Sequence, residues 1–152
     1  MPERPELGYL FNRLLMTVID RELPIMERHG LDMWEYVIMS ALRQGSAPTQ
    51  VELSSITGRD KTRLIRNLDR LVEAGLVQRD ADPEDRRNRV VSLTADGRRV
   101  LRACGKEIAE MERELLAALP AKDRPVFERA LVTLDRDLQP HRQSRPRIGR
   151  SG

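Results

Sequence analysis

The stretch DPEDRRNRVVSLTADG, residues 82–97, changes character halfway along its length. Residues 82–88 are crowded with charges of both signs, whereas residues 89–94 are rich in β-branched side chains. A run so charged cannot pack inward without partners. Together with LVQRDA, residues 76–81, the apolar part predicts a small β-hairpin whose loop is DPEDRRN. The charged run therefore forms an exposed tip that either lies idle in water or holds something charged.

Composition limits the fold class before any residue is considered singly. The 152 residues suit one domain with extensions, and 39% hydrophobic residues allow a core to form. Aromatic residues make up only 3% of the chain, which favours helices over a β-sandwich or barrel. We therefore predict a mainly α-helical chain that carries one small β-hairpin.

The net charge of +3 is unevenly distributed along the chain. Residues 139–152 contain Arg142, Arg145, Arg147 and Arg150 but no acidic residue, so the remaining residues carry a net charge of −1. Any positive surface on the body must therefore come from local clustering of basic residues. The segment 139–152 itself is predicted to be a basic, flexible tail.

Several kinds of site lack the residues that they need. Cys104 is the only cysteine, which excludes an intramolecular disulfide and a cysteine-cluster metal site, and His29 and His141 are too few for zinc. The sequence begins without a signal-peptide pattern and contains no apolar run of the ~18–20 residues that span a bilayer. Neither a nucleophile–base pair nor a phosphate-binding loop is visible. We predict a cytoplasmic protein without metal or cofactor that is not an enzyme.

Two helices are predicted in the first third of the chain from apolar residues at helical spacing. The first runs from residue 6 to residue 29, and Pro24 should bend or restart it, since proline removes a backbone donor. Asp32 is a candidate N-cap for the second helix. Gly45 is expected to stop that helix.

The next two predicted helices are joined by a tight connection. Thr49 and Glu52 form a capping box before a short helix that ends at Gly58, and RDKTRLIRNLDRLVEAG, residues 59–75, follows as a longer one. One face of the longer helix is apolar, and residues 59–70 carry five basic side chains against two acidic ones. Helix, tight connection, helix and hairpin is the order of a winged helix-turn-helix, whose second helix enters the major groove of DNA.

The polar face of this second helix and the hairpin tip supply the candidate DNA contacts. Arginine can donate two hydrogen bonds to a guanine edge or a phosphate, and a hairpin beside the recognition helix can reach the neighbouring minor groove. Asp85 is expected to hold an adjacent arginine in one rotamer. The candidate DNA-binding residues are Arg59, Asp60, Lys61, Thr62, Arg63, Arg66, Asn67, Arg70, Asp85, Arg86 and Arg87.

Two more helices are predicted after the hairpin. A long one starts near Ala95 with Thr94 as its cap and is broken by Pro120, and the last runs over residues 122–138. The long helix has apolar residues spaced three and four apart at Leu101, Cys104, Ile108, Met111 and Leu115. This seam is typical of a helix that meets a partner helix, and it predicts a homodimer. On such a seam, Cys104 is expected to pack as a small hydrophobic residue.

These motifs resemble the MarR (multiple antibiotic resistance regulator) family of transcription factors. DPEDRRNRVVSLTADG is similar to the family's wing pattern of Asp-Pro-x-Asp-Arg-Arg, a strand, and Leu-Thr-x-x-Gly. HGLDMWEYVIMSAL, TQVELSS and DKTRLIRNLDRLVEAGLVQR follow in the family's order and spacing, so the resemblance covers residues 7–138. It implies a dimeric winged helix-turn-helix regulator, here a ligand-responsive repressor of a pseudo-palindromic operator.

The resemblance also implies roles for particular segments and residues. It implies a dimerisation region at 1–30 and 95–138, a DNA-binding domain at 31–94 and a tail at 139–152. By position, Arg87 resembles the arginine that enters the minor groove, Asp85 its orienting acid, and residues 60–67 the base-reading start of the recognition helix. Relatives bind small aromatic or anionic effectors near the junction of the first two helices. The residues at this junction are His29, Trp34 and Tyr36. For each of them, ordinary packing is the alternative role.

Four residues depart from the family pattern. Ser54 stands where alanine is usual, and Thr57 stands where an apolar core residue is usual. Arg63 replaces a small hydroxyl residue, which suggests operator preferences of its own, and Asn67 replaces an aliphatic one.

The sequence alone leaves two functional interpretations open. The first is a DNA-binding transcriptional regulator. The alternative is a winged-helix module that binds a protein, which predicts no salt-dependent affinity for DNA. The arginine-rich tail is either an auxiliary DNA-binding arm or a solubilising end.

Overall fold

The computed structural model describes residues 4–43 and 48–138, and these residues form six helices and a two-stranded antiparallel sheet. The predicted stop at Gly45 and the tail after residue 138 lie outside the described residues. In chain order the elements are α1 Leu7–Arg28, α2 Met33–Ala41, α3 Gln50–Thr57, α4 Lys61–Glu73, β1 Val77–Ala81, β2 Arg89–Leu93, α5 Ala95–Leu116 and α6 Arg124–Leu138.

The first helix runs through Pro24 without interruption, so the prediction of a restart there is wrong. Ile25 and Met26, directly after the proline, are only 6% and 1% exposed. Because tertiary packing rather than propensity supplies most helix stability, this burial holds the last turn of α1 despite the missing backbone donor.

The predicted N-caps of α2 and α3 are confirmed. The Asp32 carboxylate accepts the Glu35 backbone N–H at 2.7 Å, and the Glu35 carboxylate accepts the Asp32 N–H at 2.9 Å. Thr49 and Glu52 form the same reciprocal pair at the start of α3. Each box satisfies two donors that a helix start would otherwise leave unpaired, which fixes where α2 and α3 begin.

The connection between α3 and α4 is short because Gly58 takes a left-handed conformation, with φ of 70°. Asp60 is extended and its carboxylate accepts the Arg63 backbone N–H at 3.1 Å. This cap starts α4 at Lys61, two residues after the predicted start at Arg59. The buried face of α4 includes the predicted apolar residues Leu64, Leu68 and Leu71, which are at most 1% exposed.

The predicted hairpin is confirmed, and a third segment extends it. β1 and β2 pair from Val77 with Leu93 to Ala81 with Arg89. Thr49 forms a bridge with Val90, and the Val91 N–H donates to the Pro48 carbonyl at 2.9 Å. The chain leading into α3 thus pairs with the second strand and fixes the hairpin beside the helix-turn-helix.

The base of the hairpin requires a glycine at the start of α5. Thr94 caps this helix as predicted, since its Oγ accepts the Gly97 N–H at 2.9 Å and donates to the Gly75 carbonyl at 2.6 Å. A Cβ added to Gly97 would lie 1.9 Å from the Leu76 carbonyl oxygen. Only glycine allows α5 to approach the start of the hairpin so closely.

The apolar seam of α5 is largely covered by the chain itself. Leu101, Cys104, Ile108 and Met111 are 2%, 0%, 6% and 8% exposed in a single chain. The prediction that these four residues await a partner helix is therefore wrong. Apolar residues spaced three and four apart show that one face of a helix is buried. The same spacing arises whether elements of the same chain or of another chain pack against that face.

The chain divides into two compact units, the first ending at Met111 and the second beginning at Glu112. In the first, large apolar side chains of α1 remain exposed, namely Leu7, Tyr9, Phe11, Leu14, Leu15 and Met16. In the second, α6 begins at Arg124 rather than at Lys122. Its exposed apolar side chains are Val126, Leu131, Val132, Leu134 and Leu138. No helix among the described residues is long and apolar enough to cross a membrane.

Candidate nucleic-acid interface

The first turns of α4 present a polar face to solvent. Lys61, Thr62, Arg63 and Arg66 are all exposed, as their predicted position opposite the apolar face requires. Arg63 lies 3.5 Å from the Asp60 carboxylate, measured from Nε to Oδ2, and both side chains are more than half exposed. An exposed pair of this kind is weak and leaves Arg63 able to exchange its partner for another acceptor.

Asn67 lies apart from this polar face. Its side chain is 6% exposed, so the prediction that it shares the solvent-exposed face of α4 is wrong. The Asn67 Oδ1 accepts a hydrogen bond from Arg59 Nε at 3.3 Å. A buried amide needs such a partner, and the periodicity of one helix cannot show that a residue before that helix supplies it.

Arg59 is fixed at both its side chain and its backbone. Its guanidinium stacks on the Trp34 ring, with Cζ 4.4 Å from the ring centroid. The Ser54 hydroxyl donates to the Arg59 carbonyl at 2.6 Å, and the Arg59 N–H donates to the Thr57 hydroxyl at 3.3 Å. Three departures from the family pattern, at positions 54, 57 and 67, therefore meet at this one arginine.

Arg70 pairs with α2. Its Nη1 lies 3.1 Å from Glu35 Oε1 and 3.4 Å from Asp32 Oδ2. Glu35 is 2% exposed, and a carboxylate so buried requires a cationic neighbour. The guanidinium of Arg70 is itself largely exposed. It neutralises a buried acid and also adds positive charge to the surface.

The tip of the wing, residues 82–88, is shaped by its own side chains. Asp82 Oδ1 accepts the Glu84 N–H at 2.9 Å, and Asp85 Oδ1 accepts the Arg87 N–H at 3.0 Å. Asp85 is predicted to fix an arginine side chain, whereas in the structure it accepts a hydrogen bond from the Arg87 backbone N–H. Arg86 and Arg87 are exposed, and in the described part of the chain neither guanidinium has an ion-pair partner.

A brace that sequence reasoning missed connects the wing to the helix-turn-helix. Arg79 on β1 forms an ion pair with Asp69 on α4, and it donates to Gln50 Oε1 at 3.5 Å. The Arg79 side chain is 26% exposed, so these contacts are partly shielded from water. The brace fixes the distance between the wing and the recognition helix.

The three predicted effector contacts each have a different neighbour in the structure. His29 Nε2 lies 3.2 Å from the Glu107 carboxylate on α5, while a Cβ added at Gly105, two residues away, would lie 3.6 Å from the Tyr36 hydroxyl. Trp34 instead packs against Arg59. The pKa of Glu107 is lowered, first by its hydrogen bond from Arg28 and also by His29.

The sequence contains only ambiguous indications of the roles of Gly97 and Trp34. Gly97 falls in the first turn of a helix, where glycine is costly, so it indicates a close backbone approach. Trp34 is the only tryptophan of the chain, yet nothing in the sequence pairs it with a residue 25 positions later. Among the described residues there is no cluster of three His, Cys, Asp or Glu side chains that could hold a metal ion.

Comparison with known proteins gives consistent results. The family model described as the MarR family matches residues 29–88, from the end of α1 to the wing tip. Transcriptional regulator HosA of Escherichia coli O111:H- is 32% identical over 93 residues, which cover 61% of this chain and 69% of that protein.

Two solved structures that contain DNA also match. The transcriptional repressor CouR bound to a 23-mer DNA duplex has a TM-score of 0.75 and 26% identity, covering 85% of this chain and 92% of that one. A mutant MarR from Escherichia coli complexed with operator DNA has a TM-score of 0.71 and 26% identity, covering 84% and 92%.

Proposed function

We propose, since the chain belongs to the MarR family of transcriptional regulators, that it represses transcription by binding operator DNA through α4 and the wing. One observation carries the proposal. Lys61 and Arg66 on α4 and Arg86 and Arg87 at the wing tip are exposed, and within the described residues none of them has an ion-pair partner. Exposed, uncompensated cations are what phosphate groups attract.

The two elements would contact the two grooves. Placed in the major groove, α4 would direct the side chain of Arg63 toward base edges, since Asp60 holds it only weakly. The wing would direct Arg87 into the adjacent minor groove, where the negative potential favours arginine. The Arg79 brace supports this arrangement, because it keeps both elements at one separation.

The exposed apolar side chains support action as a homodimer. On α1, Tyr9, Leu14 and Leu15 are 58%, 54% and 56% exposed. On α6, Val132 and Leu138 are 68% and 62% exposed. The apolar side chains exposed on the first half of α1 and those exposed on α6 each mark an interaction surface, and a two-fold dimer covers the same surface on both copies. Such a dimer would select an inverted repeat with half-site centres about 10–10.5 base pairs apart.

The dimer is tested by sedimentation of the full chain at micromolar concentration. The parent should sediment as a dimer, and Leu14→Glu should sediment as a monomer because it places a charge in the proposed interface. Asn12→Glu, which adds the same charge at another exposed position of α1, is the matched control. A parent that remains monomeric would remove the dimer from the proposal.

DNA binding is tested by selecting bound fragments from random duplex DNA with the purified full chain. Inverted repeats should be recovered, and their affinity should fall steeply with salt because phosphate contacts release counterions. Recovery of direct repeats would contradict the dimer geometry. An absence of salt-dependent affinity for any fragment would favour the protein-binding module instead.

We also infer that a small aromatic anion relieves repression, and that the cytoplasm, where operator DNA lies, is the site of action. The support is a pair of polar groups beside α5. A Cβ added at Gly105 would lie 3.6 Å from both the Arg43 guanidinium and the Tyr36 hydroxyl. Benzoate, titrated into the complex of protein and operator, should release DNA from the parent and do so less readily from Arg43→Gln. Equal release from both proteins would contradict this location.

A further inference from the structure

We propose that Arg59 reads an acceptor pair on the operator and that Trp34 and Asn67 are the positioning residues that aim it. The inference rests on the proposed DNA-binding function. Trp34 lies in the first turn of α2 and Asn67 lies in the middle of α4. Arg59 lies between α3 and α4, directly before the Asp60 cap.

The contacts around Arg59 hold its side chain from two sides. Trp34 covers a face of the guanidinium at 4.4 Å, and Asn67 takes the Nε donor at 3.3 Å. The backbone is fixed by the hydroxyls of Ser54 and Thr57. Arginine has high rotamer entropy, so a side chain ordered before binding loses less freedom when it meets DNA.

The same contacts leave the outer edge of the guanidinium free. Of its five N–H donors, only the one on Nε has an acceptor within the described chain. One N–H from each Nη points along the outer edge, and this pair binds two acceptors side by side. Two phosphate oxygens or the O6 and N7 atoms of a guanine fit this edge. Asn67 therefore acts from a buried position without contacting DNA itself.

A purely structural interpretation predicts something different from the same contacts. Suppose that Arg59 only stacks on Trp34 and donates the hydrogen bond that the buried Asn67 amide needs. Replacing Asn67 with leucine would then remove a buried polar group and leave DNA binding intact. If Arg59 is aimed at DNA, the same replacement frees its Nε and loosens the side chain. Stability and affinity then move in opposite directions in one variant.

The experiment measures affinity for an operator duplex obtained from the selection, using the full chain and two salt concentrations. Arg59→Gln should bind about tenfold more weakly, within the range for one specific contact. Trp34→Leu and Asn67→Leu should each bind about threefold to fivefold more weakly, while Asn67→Leu unfolds at the same or a higher temperature. Trp34→Phe, which keeps an aromatic face, should recover most of the affinity lost in Trp34→Leu.

A double variant and a charge-matched control separate positioning from general damage. Trp34→Leu combined with Arg59→Gln should bind no more weakly than Arg59→Gln alone, since Trp34 acts through Arg59. Arg102→Gln, which removes the same charge from an exposed position of α5, should bind like the parent. Additive losses in the double variant, or parental affinity in both Trp34→Leu and Asn67→Leu, would overturn the proposal.

The loss also identifies the acceptor. A phosphate contact predicts an equal loss on every duplex and a salt slope reduced by about one. A guanine contact predicts a loss confined to duplexes with guanine at one position of each half-site. If the parent itself shows no salt-dependent affinity for DNA, the proposed function fails. If the parent binds but the positioning variants match it, only this inference fails.

Discussion

The two ends of α4 and the tip of the wing all carry arginine, but the protein holds these arginines differently. Arg59 and Arg70 contact Trp34, Asn67, Glu35 and other groups of the protein. At the wing tip, the acids Asp82 and Asp85 bind backbone N–H groups. In the described chain the guanidinium groups of Arg86 and Arg87 have no ion-pair partner. At Arg59 and Arg70 the protein orders the arginine side chain, whereas at the wing tip it orders the backbone that carries the arginines.

The difference separates two consequences of losing an arginine. Removing one that pairs with a buried group should lower stability, because the partner is left unsatisfied. Removing one from the wing tip should leave stability unchanged and lower only the affinity for DNA. Measurements of both quantities on matched variants would establish the contrast or abolish it.

The largest effect should come from the base of the wing. Gly97→Ala places a Cβ 1.9 Å from the Leu76 carbonyl oxygen, so the backbone must move. We expect a loss of at least about 3 kcal/mol in the free energy of unfolding. Gly105→Ala is the control on the same helix, because its Cβ would have ordinary contacts at 3.6 Å. A similar, small change in both proteins on chemical denaturation would show that the wing does not depend on this approach.

The next effect concerns an arginine held by the protein. Arg70→Met leaves the buried Glu35 carboxylate without its cation, and it should lower the free energy of unfolding by about 1–3 kcal/mol. Arg66→Met removes the same charge from the same helix and should change it by less than about 0.5 kcal/mol. Adding Glu35→Gln to Arg70→Met should restore part of the loss. Equal stability of the two single variants would abolish the contrast between held and free arginines.

Replacing an arginine at the wing tip should lower the affinity for DNA without changing the stability of the protein. Arg87→Ala should unfold like the parent but lose about 1–3 kcal/mol of operator binding. Base preference in the major groove should persist, because the minor groove is read mainly by its width and by A·T against G·C. Thermal unfolding and repeated fragment selection provide the two measurements. A neutral Arg87→Ala would make the tip a solvated loop.

The smallest effect has the most informative sign. Asp85→Ala removes a negative charge near DNA, so simple electrostatics predicts tighter binding. Because Asp85 accepts the Arg87 N–H and shapes the tip, we expect binding weaker by about 0.5–1.5 kcal/mol instead. Asp80→Ala, which removes an exposed acid from the strand before the tip, is the comparison. Tighter binding by Asp85→Ala at low salt would show that only its charge matters.

What the sequence predicted well is encoded locally. The caps at Asp32, Thr49 and Thr94 and the hairpin follow from residues a few positions apart, so short-range hydrogen bonding determines them. The predicted restart at Pro24 is wrong because the burial that holds α1 comes from other elements.

The remaining differences arise from contacts between distant residues. Asn67 was assigned to the exposed face because its partner, Arg59, precedes the helix, and periodicity within α4 cannot include it. The seam on α5 was assigned to a second chain, although its own chain buries it. The spacing of apolar residues identifies which face of a helix is buried, but it does not identify the element that buries it. The exposure of the arginines at the wing tip was predicted correctly because a loop with so many charges cannot be buried in the protein core.

Cys104 has a consequence for how motion of α5 can be followed. It is the only cysteine of the chain and is 0% exposed, and burial raises its pKa to about 11, with Glu107 and Glu22 adding to the shift. Only the thiolate is nucleophilic, so at neutral pH the folded protein should resist alkylation. Because the single thiol reacts only when α5 leaves its packed position, the rate of its labelling by an alkylating reagent reports how often that helix opens.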